Sequence, residues 1–252
     1  MAETRPTATS AEAQYVKPFV ERWDDLIDWE QRKAGEGGFF EKVLHDAGAR
    51  TVLDAAAGTG FHSVTLAEAG FAVTAADGSA RMLERAAENG RRSGQDFPTV
   101  LTDWRNLHQN VEGTFDAVLC LGSSFPHLFD AGDRAAVLRA FHRILNPGGV
   151  LVLDHRNFDA IRARRFRSRR SVYYCGQDVN VSVAHISTEL CRFRYEFSDE
   201  EAYHLEVYPL LAAEAGALLA GAGFEDHQQF GDFDEEFDLL DSGFVIHVAR
   251  KS

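Results

Sequence analysis

Apolar residues fall into short blocks along the chain, and the blocks switch repeatedly between helical and strand-like spacing. From Tyr15 to Leu44 a helical interval runs through Phe19, Val20, Trp23, Leu26 and Ile27, then Phe39, Phe40 and Val43. Gly35-Glu-Gly-Gly38 breaks that run, which predicts two helices. Thr51–Asp54 is a short apolar strand closed by an acid, followed by Gly58-Thr-Gly60 and a helix to about Ala69. Phe71–Ala76 is a second strand, ending at Asp77, and Ser79 can cap a helix through about Arg92. Thr99–Thr102 and Phe115–Leu121 make strands three and four. A helix from about Asp133 to Leu145 stops at Asn146-Pro-Gly-Gly149, and Val150–Asp154 is the fifth strand. This alternation predicts an open, mostly parallel sheet with helices on both faces. Such sheets bind ligands at the carboxyl ends of their strands. Asp54–Gly60, Asp77, Asp103-Trp104, Gly122–His127 and Asp154–Asn157 all fall there.

After strand five the rhythm changes. Ser171 to Glu206 holds β-rich pieces (Val172–Cys175, Val179–Ser187, Leu190–Phe197, Tyr203–Val207) and no helical pattern, which predicts a small antiparallel insertion over 171–207. A helix (Leu211–Ala222), a strand (Phe224–Phe230), an acidic loop (Asp232–Asp241) and a last strand (Gly243–Ala249) complete a seven-stranded sheet. Residues 15–250 thus read as one α/β domain, and the polar residues 1–14 as a flexible N-terminus.

Composition narrows the partners. With 252 residues, 45% hydrophobic and 26% charged, the chain suits one large globular domain. It has no apolar run approaching the roughly 18–20 residues that span a bilayer and no signal-like start, so a cytoplasmic location without membrane contact is expected. Cys120, Cys175 and Cys191 are odd in number and scattered, giving neither a disulfide framework nor a metal site. Lys+Arg 26 against Asp+Glu 39 leaves a net charge of −13, a field that opposes nucleic acid. Only four of the basic residues are Lys, and an acidic, lysine-poor surface fits a salt-stressed cell as well as it fits an ordinary acidic enzyme. Arg162–Arg170 runs against the trend with six arginines, leaving 20 basic against 39 acidic residues elsewhere, a net of −19. It reads as a solvated loop or a strip that docks on an acidic face of another subunit.

Asp54-Ala-Ala-Ala-Gly-Thr-Gly60 lies between a strand and a helix, where glycines let the backbone approach a ligand and helix amides face anionic groups. A GxG alone suits dinucleotide enzymes equally well, but a pyrophosphate loop wants a third glycine where Ser63 stands. Asp77 suits a ribose diol in either class. What separates the two is the pairing with Asn146-Pro-Gly-Gly149 and a terminal strand pair. The arrangement resembles the class I S-adenosylmethionine-dependent methyltransferases, with their Rossmann-like fold. Asp103 would then lie near the adenine amino group and Trp104 near its ring.

Cys120-Leu-Gly-Ser-Ser-Phe-Pro-His127 and Asp154-His-Arg-Asn-Phe-Asp159 are similar to the strand-four and strand-five segments of the glycine N-methyltransferase family. So are Tyr173-Tyr174, Val207-Tyr-Pro209, Gly231-Asp-Phe233 and Phe244-Val-Ile-His-Val248. Phe19–Trp29, followed by Arg32 and Glu36-Gly37, most resembles the bacterial glycine/sarcosine enzymes of betaine synthesis. The resemblance implies S-adenosylmethionine as cofactor, with Arg32, Tyr15 and Trp23 at its methionine end and Ala56, Gly58 and Gly60 along the loop. It implies Asp77 on the ribose, Met82 against the adenine, and Leu121, Ser124 and His127 completing that wall. Arg156 would hold the amino acid carboxylate, with Tyr174, Tyr195 and Tyr208 around the reacting methyl. Ser123 stands where vertebrate members have Asn, which bears on amine contacts, and Ala57 replaces a loop Cys.

The physics agrees. A zwitterion with a tiny side chain offers little apolar surface, so its carboxylate must supply the binding energy, and the Arg fork meets a carboxylate with two charge-assisted bonds. The expected substrate is thus a small molecule, handled by a monomer or small homo-oligomer without a metal. Three rivals stand beside this: transfer to another small amine or amino acid, a non-catalytic regulator that binds the cofactor, and RNA methylation. The last is opposed by the acidic field and by the lack of an Asn-Pro-Pro-Tyr motif.

Overall fold

The computed structural model describes residues 14–165, 179–234 and 238–252. Four short helices lead in: α1 (Lys17–Glu21), α2 (Trp23–Ile27), α3 (Trp29–Glu36) and α4 (Phe39–Asp46). Then follow β1 (Thr51–Asp54), α5 (Phe61–Glu68), β2 (Ala72–Asp77), α6 (Ala80–Arg92), β3 (Thr99–Leu101), α7 (Leu107–Asn110), β4 (Phe115–Cys120), α8 (Ala131–Ile144), β5 (Leu145–Arg156) and α9 (Phe158–Arg162). A second sheet of β6 (Val179–Ile186), β7 (Cys191–Phe197) and β8 (Ala202–Val207) precedes α10 (Ala212–Gly221), β9 (Phe224–Gly231) and β10 (Phe244–Lys251).

The large sheet has the order β3-β2-β1-β4-β5-β10-β9. Strands β1 to β5 are parallel, and β10 runs antiparallel between β5 and β9. The strand order reverses between β1 and β4, so the crevice at their carboxyl ends is the expected ligand position. Central strands covered on both faces read as unbroken apolar runs. Val52 and Leu53, Ala117 to Cys120 and Val150 to Leu153 are all buried accordingly. Leu138, Phe141 and Leu219 from α8 and α10 pack one face, and Phe40, Leu44 and Leu66 from α4 and α5 the other.

The predicted antiparallel insertion is present as β6-β7-β8, although its first predicted piece, Val172–Cys175, lies outside the described residues. So do residues 1–13 and most of the arginine-rich strip. The insertion joins the core through Phe193, Tyr195, Phe197 and Leu205, which lie with Phe19 and Phe158 in one buried cluster. Arg22 clamps the β7–β8 turn, giving Asp199 bonds of 2.8 and 3.0 Å while its guanidinium sits 3.8 Å above Phe197.

Two expectations need correction. The first run is four helices: besides the predicted glycine break, the helix is interrupted at Arg22 (φ −97°, ψ 6°) and again at Asp28, which turns left-handed (φ 44°) and caps α3 by accepting from the Gln31 amide at 3.2 Å. Asp tolerates that conformation by bonding locally, a signal that apolar spacing does not carry. Strand five starts five residues early: Leu145 already pairs with Phe115, and the register shifts before Ala117 meets Val150. Asn146-Pro-Gly-Gly149 is therefore a bulge inside β5, with Asn146 donating to Asp116 Oδ1 at 2.8 Å. Among the described residues no helix is long and apolar enough to cross a membrane.

Candidate active site

The loop after β1 sets the cofactor end of the crevice. Gly58 and Gly60 both take left-handed backbone, with φ 53° and 91°. The Gly58 amide donates to Asp77 Oδ2 at 2.9 Å and the Ser79 amide to Oδ1 at 2.8 Å, so the carboxylate that ends β2 ties the loop to the start of α6. Asp77 keeps a partly exposed edge, yet burial pushes its carboxyl up to about 6, with the amides of Gly58 and Ser79 only partly offsetting it. Asp54, fully enclosed at the end of β1, accepts from Ser63 Oγ at 2.7 Å and is also raised, mainly by burial.

The two glycines are not equivalent. A Cβ on Gly60 would lie 2.9 Å from both Cα and Cβ of Ala86, whereas one on Gly58 would meet only Trp23 Nε1 at 3.9 Å. Gly58→Ala should therefore lose only the left-handed backbone term, about 1–2 kcal/mol. Gly60→Ala should lose that plus the cost of pushing α6 away, and so unfold at clearly lower urea. Equal midpoints for the two variants would contradict this geometry.

Arg32 on α3 is buried and shares one oxygen with a histidine. Its Nε donates to Glu36 Oε1 at 2.8 Å, His62 Nε2 lies 3.0 Å from the same oxygen, and the Phe61 ring is 4.8 Å from the guanidinium. Burial raises the Glu36 carboxyl, but His62 and Arg32 outweigh it and hold it below the ordinary range. Glu36 and His62 were not predicted as site residues. The i,i+4 spacing of Arg32 and Glu36 was the available signal.

Tyr15, Trp23 and His127 come together, although the sequence placed Tyr15 and Trp23 at the methionine end and His127 on the adenine wall. The Tyr15 hydroxyl and His127 Nε2 are 3.0 Å apart, and the Tyr15 and Trp23 ring centroids 5.2 Å. Burial pulls His127 down to about 4, so its imidazole is neutral at pH 7. Met82 and Leu121 are buried, Ala56 is half-buried, and Ser124 Oγ donates to the Leu121 carbonyl at 2.7 Å. Trp104 donates its indole N–H to the Ala55 carbonyl and packs against Phe125 and Phe141. Asp103 is exposed and paired with Arg105, whose hydrogen bonds hold its carboxyl below the ordinary range.

At the mouth of β5, Arg156 is only 3% exposed. Its guanidinium lies 4.9 Å from the Phe193 ring, 5.1 Å from the Phe244 ring, and reaches the Tyr195 hydroxyl at 3.5 Å. Ser123 adopts φ 57°, donates its amide to Asp154 Oδ1 at 2.7 Å, and accepts from the Arg156 amide at 3.1 Å. It thus latches the end of β4 to the end of β5. Tyr208 is held differently. Its hydroxyl donates to Glu214, at 3.0 and 3.1 Å from the two oxygens, and Arg134 lies 3.8 Å over its ring. Tyr203, not assigned to the site from the sequence, stacks on Phe19 at 4.6 Å. Tyr174 lies outside the described residues. Among the described residues no cluster could hold a metal ion.

A methyltransferase-domain family model matches residues 52–149, the segment from β1 to the β5 bulge. The glycine/sarcosine N-methyltransferase of Halorhodospira halochloris is 48% identical over 238 residues, covering 94% of this chain and 89% of that protein. This chain belongs to the glycine N-methyltransferase family. Another family member, the glycine/sarcosine/dimethylglycine N-methyltransferase of Actinopolyspora halophila, is 45% identical over 95% of this chain and 42% of its own length. The fold is shared with solved structures of much lower identity. An S-adenosylmethionine-dependent methyltransferase from Clostridium acetobutylicum superposes with a TM-score of 0.71 at 16% identity, covering 93% of this chain and 98% of that one.

Proposed function

We propose that this chain uses S-adenosylmethionine to methylate glycine to sarcosine and sarcosine to N,N-dimethylglycine. What supports the choice of acceptor is Arg156, a buried guanidinium in an aromatic cage at the open end of the strand beside the crevice. The residues present fit the cofactor. Two left-handed glycines clear the loop, the Asp77 carboxylate can accept from both ribose hydroxyls, and Arg32, braced by Glu36, would meet the carboxylate at the methionine end. Ala56, Met82, Leu121, Trp104, Ser124 and His127 would wall the adenosine, with Asp103 at its rim and Tyr15 and Trp23 over the methionine end.

When bound, the cofactor supplies an electrophilic methyl on a sulfonium. Arg156 holds the acceptor carboxylate with its fork and so fixes where the amine can lie. The neutral amine needs no strong base, because holding nitrogen, methyl carbon and sulfur in line supplies most of the rate. Tyr195, with Tyr174 and Tyr208 as its sequence-predicted companions, orients the amine and favours the transferring methyl. Ser123, standing where vertebrate members have the larger Asn, bears on the contacts to the amine and so on how many methyl groups are accepted. The β6-β7-β8 sheet closes over the acceptor and excludes water.

Mass spectrometry after incubation with cofactor and glycine tests this. Sarcosine followed by dimethylglycine is expected, with little betaine. Betaine as a main product would align this chain with the three-step activity in the Actinopolyspora halophila name. No transfer to any amine would leave a binding protein. The acidic surface, net −13, fits a small amino acid substrate and a place in osmoprotectant supply, with no nucleic acid partner.

A further inference from the structure

Three histidines on neighbouring strands of the large sheet have no role in the reading above. His155 Nδ1 lies 2.8 Å from the Arg156 carbonyl oxygen, and His155 Nε2 lies 2.9 Å from His247 Nε2. His247 Nδ1 in turn lies 2.9 Å from His227 Nε2. Ring centroids are 5.0 and 5.1 Å apart, with planes 27° and 16° from parallel, so the imidazoles lie end to end rather than face to face. They run from the deepest strand end, where His155 is 0% exposed, to half-buried His227 on β9. Helix α10 lies against the outer ring at Gly216, where an added Cβ would stand 3.1 Å from His227 Cε1.

One atom fixes every proton in this row. A carbonyl oxygen only accepts, so His155 Nδ1 carries hydrogen. A neutral imidazole has one N–H, so His155 Nε2 accepts and His247 Nε2 donates. His247 Nδ1 then accepts, and His227 Nε2 donates. Any other neutral arrangement places two hydrogens or two lone pairs in opposition. Burial holds all three rings below the ordinary imidazole range, His155 at about 4, so the neutral row persists at pH 7.

We propose that His227, His247 and His155 form a tautomer-locked brace that positions Arg156 for the acceptor carboxylate. The backbone of Arg156 is held from both sides: its amide donates to Ser123 Oγ, and its carbonyl accepts from His155. Arg156 is the last residue of β5, paired with Phe244 of β10 and followed by the Asn157 amide donating to the Gly243 carbonyl at 2.9 Å, and the His155 ring adds a side-chain hold at that end. A long side chain can aim its fork only as well as its own backbone is fixed. His155, His247 and His227 are thus positioning residues, and the inference rests on Arg156 being the carboxylate ligand.

His247 is the residue to change, since it touches neither Arg156 nor the crevice loop in the contacts above. His247→Leu leaves the His155 acceptor and the His227 donor without partners. It should raise KM for glycine at least about fivefold, the lower end for an unpaired buried polar group, with cofactor Kd unchanged. His247→Gln, which carries one donor and one acceptor, should recover part of that. Nitrogen-15 shifts of the unaltered protein at neutral pH should show His155 as the Nδ1–H tautomer and His247 and His227 as Nε2–H. Those spectra decide the matter even if His247→Leu does not fold. A different tautomer set, or a lowered melting temperature with unchanged KM for glycine, would overturn the brace. Arg156→Ala measured alongside separates the two claims. If it keeps its glycine kinetics, the carboxylate reading fails; if it loses them while His247→Leu does not, only the brace fails.

Discussion

Arg156→Ala should lower kcat/KM for glycine by at least tenfold while leaving cofactor affinity near that of the unaltered protein. Removing one partner of a desolvated charge pair costs about 2–5 kcal/mol, and Arg156 is buried among Phe193, Phe244 and Tyr195 rather than exposed to water. Arg156→Lys keeps the charge but loses the planar fork, so it should recover only part of the loss. The split between kinetic constants is informative. If the arginine only binds the acceptor, saturating glycine restores kcat; if it also aligns the amine, kcat stays low. A kcat/KM within twofold of the unaltered protein would remove Arg156 from the acceptor site and reopen the choice of substrate.

The succession of strands along the chain was legible in the sequence because the central strands are short, mainly apolar runs, several closed by an acid at the crevice, as at Asp54, Asp77 and Asp154. Covered sheets impose that pattern directly. The same logic located the loop glycines and the insertion. What apolar spacing could not give was local backbone set by polar side chains, as at Asp28, or a bulge that keeps strand pairing across Pro147. The site divides in the same way. Tyr15, Trp23 and His127 were each singled out by the resemblance, but not the 3.0 Å contact between Tyr15 and His127, and the Glu36–His62 pair behind Arg32 joins residues 26 apart in sequence. Tyr208 shows what a motif leaves out: its hydroxyl donates to Glu214, six residues on in α10, a contact that no motif announces. The histidine row is a third case, since three strands must be paired before it exists.

Asp77→Ala should weaken cofactor binding by about 1.5–3 kcal/mol, roughly 10- to 150-fold in Kd, the usual worth of bonds to a charged group. The carboxylate is the acceptor that ribose hydroxyls need, and it already sits between the loop and α6, taking the amides of Gly58 and Ser79. Its titration gives the prediction a second arm. Burial raises the folded carboxyl to about 6, so the free protein holds it protonated below about pH 6. Its contribution to folding is accordingly full at low pH and is lost as pH rises through about 6. Two hydroxyl donors favour the charged form, so binding should expel the proton, and affinity should climb as pH rises toward about 6 and level off above it. Asp77→Ala should flatten that climb as well as lower the affinity. Calorimetry on both proteins across this pH range reads the two effects together. An unchanged Kd in the variant, or the same pH slope in both proteins, would show that the ribose is held elsewhere.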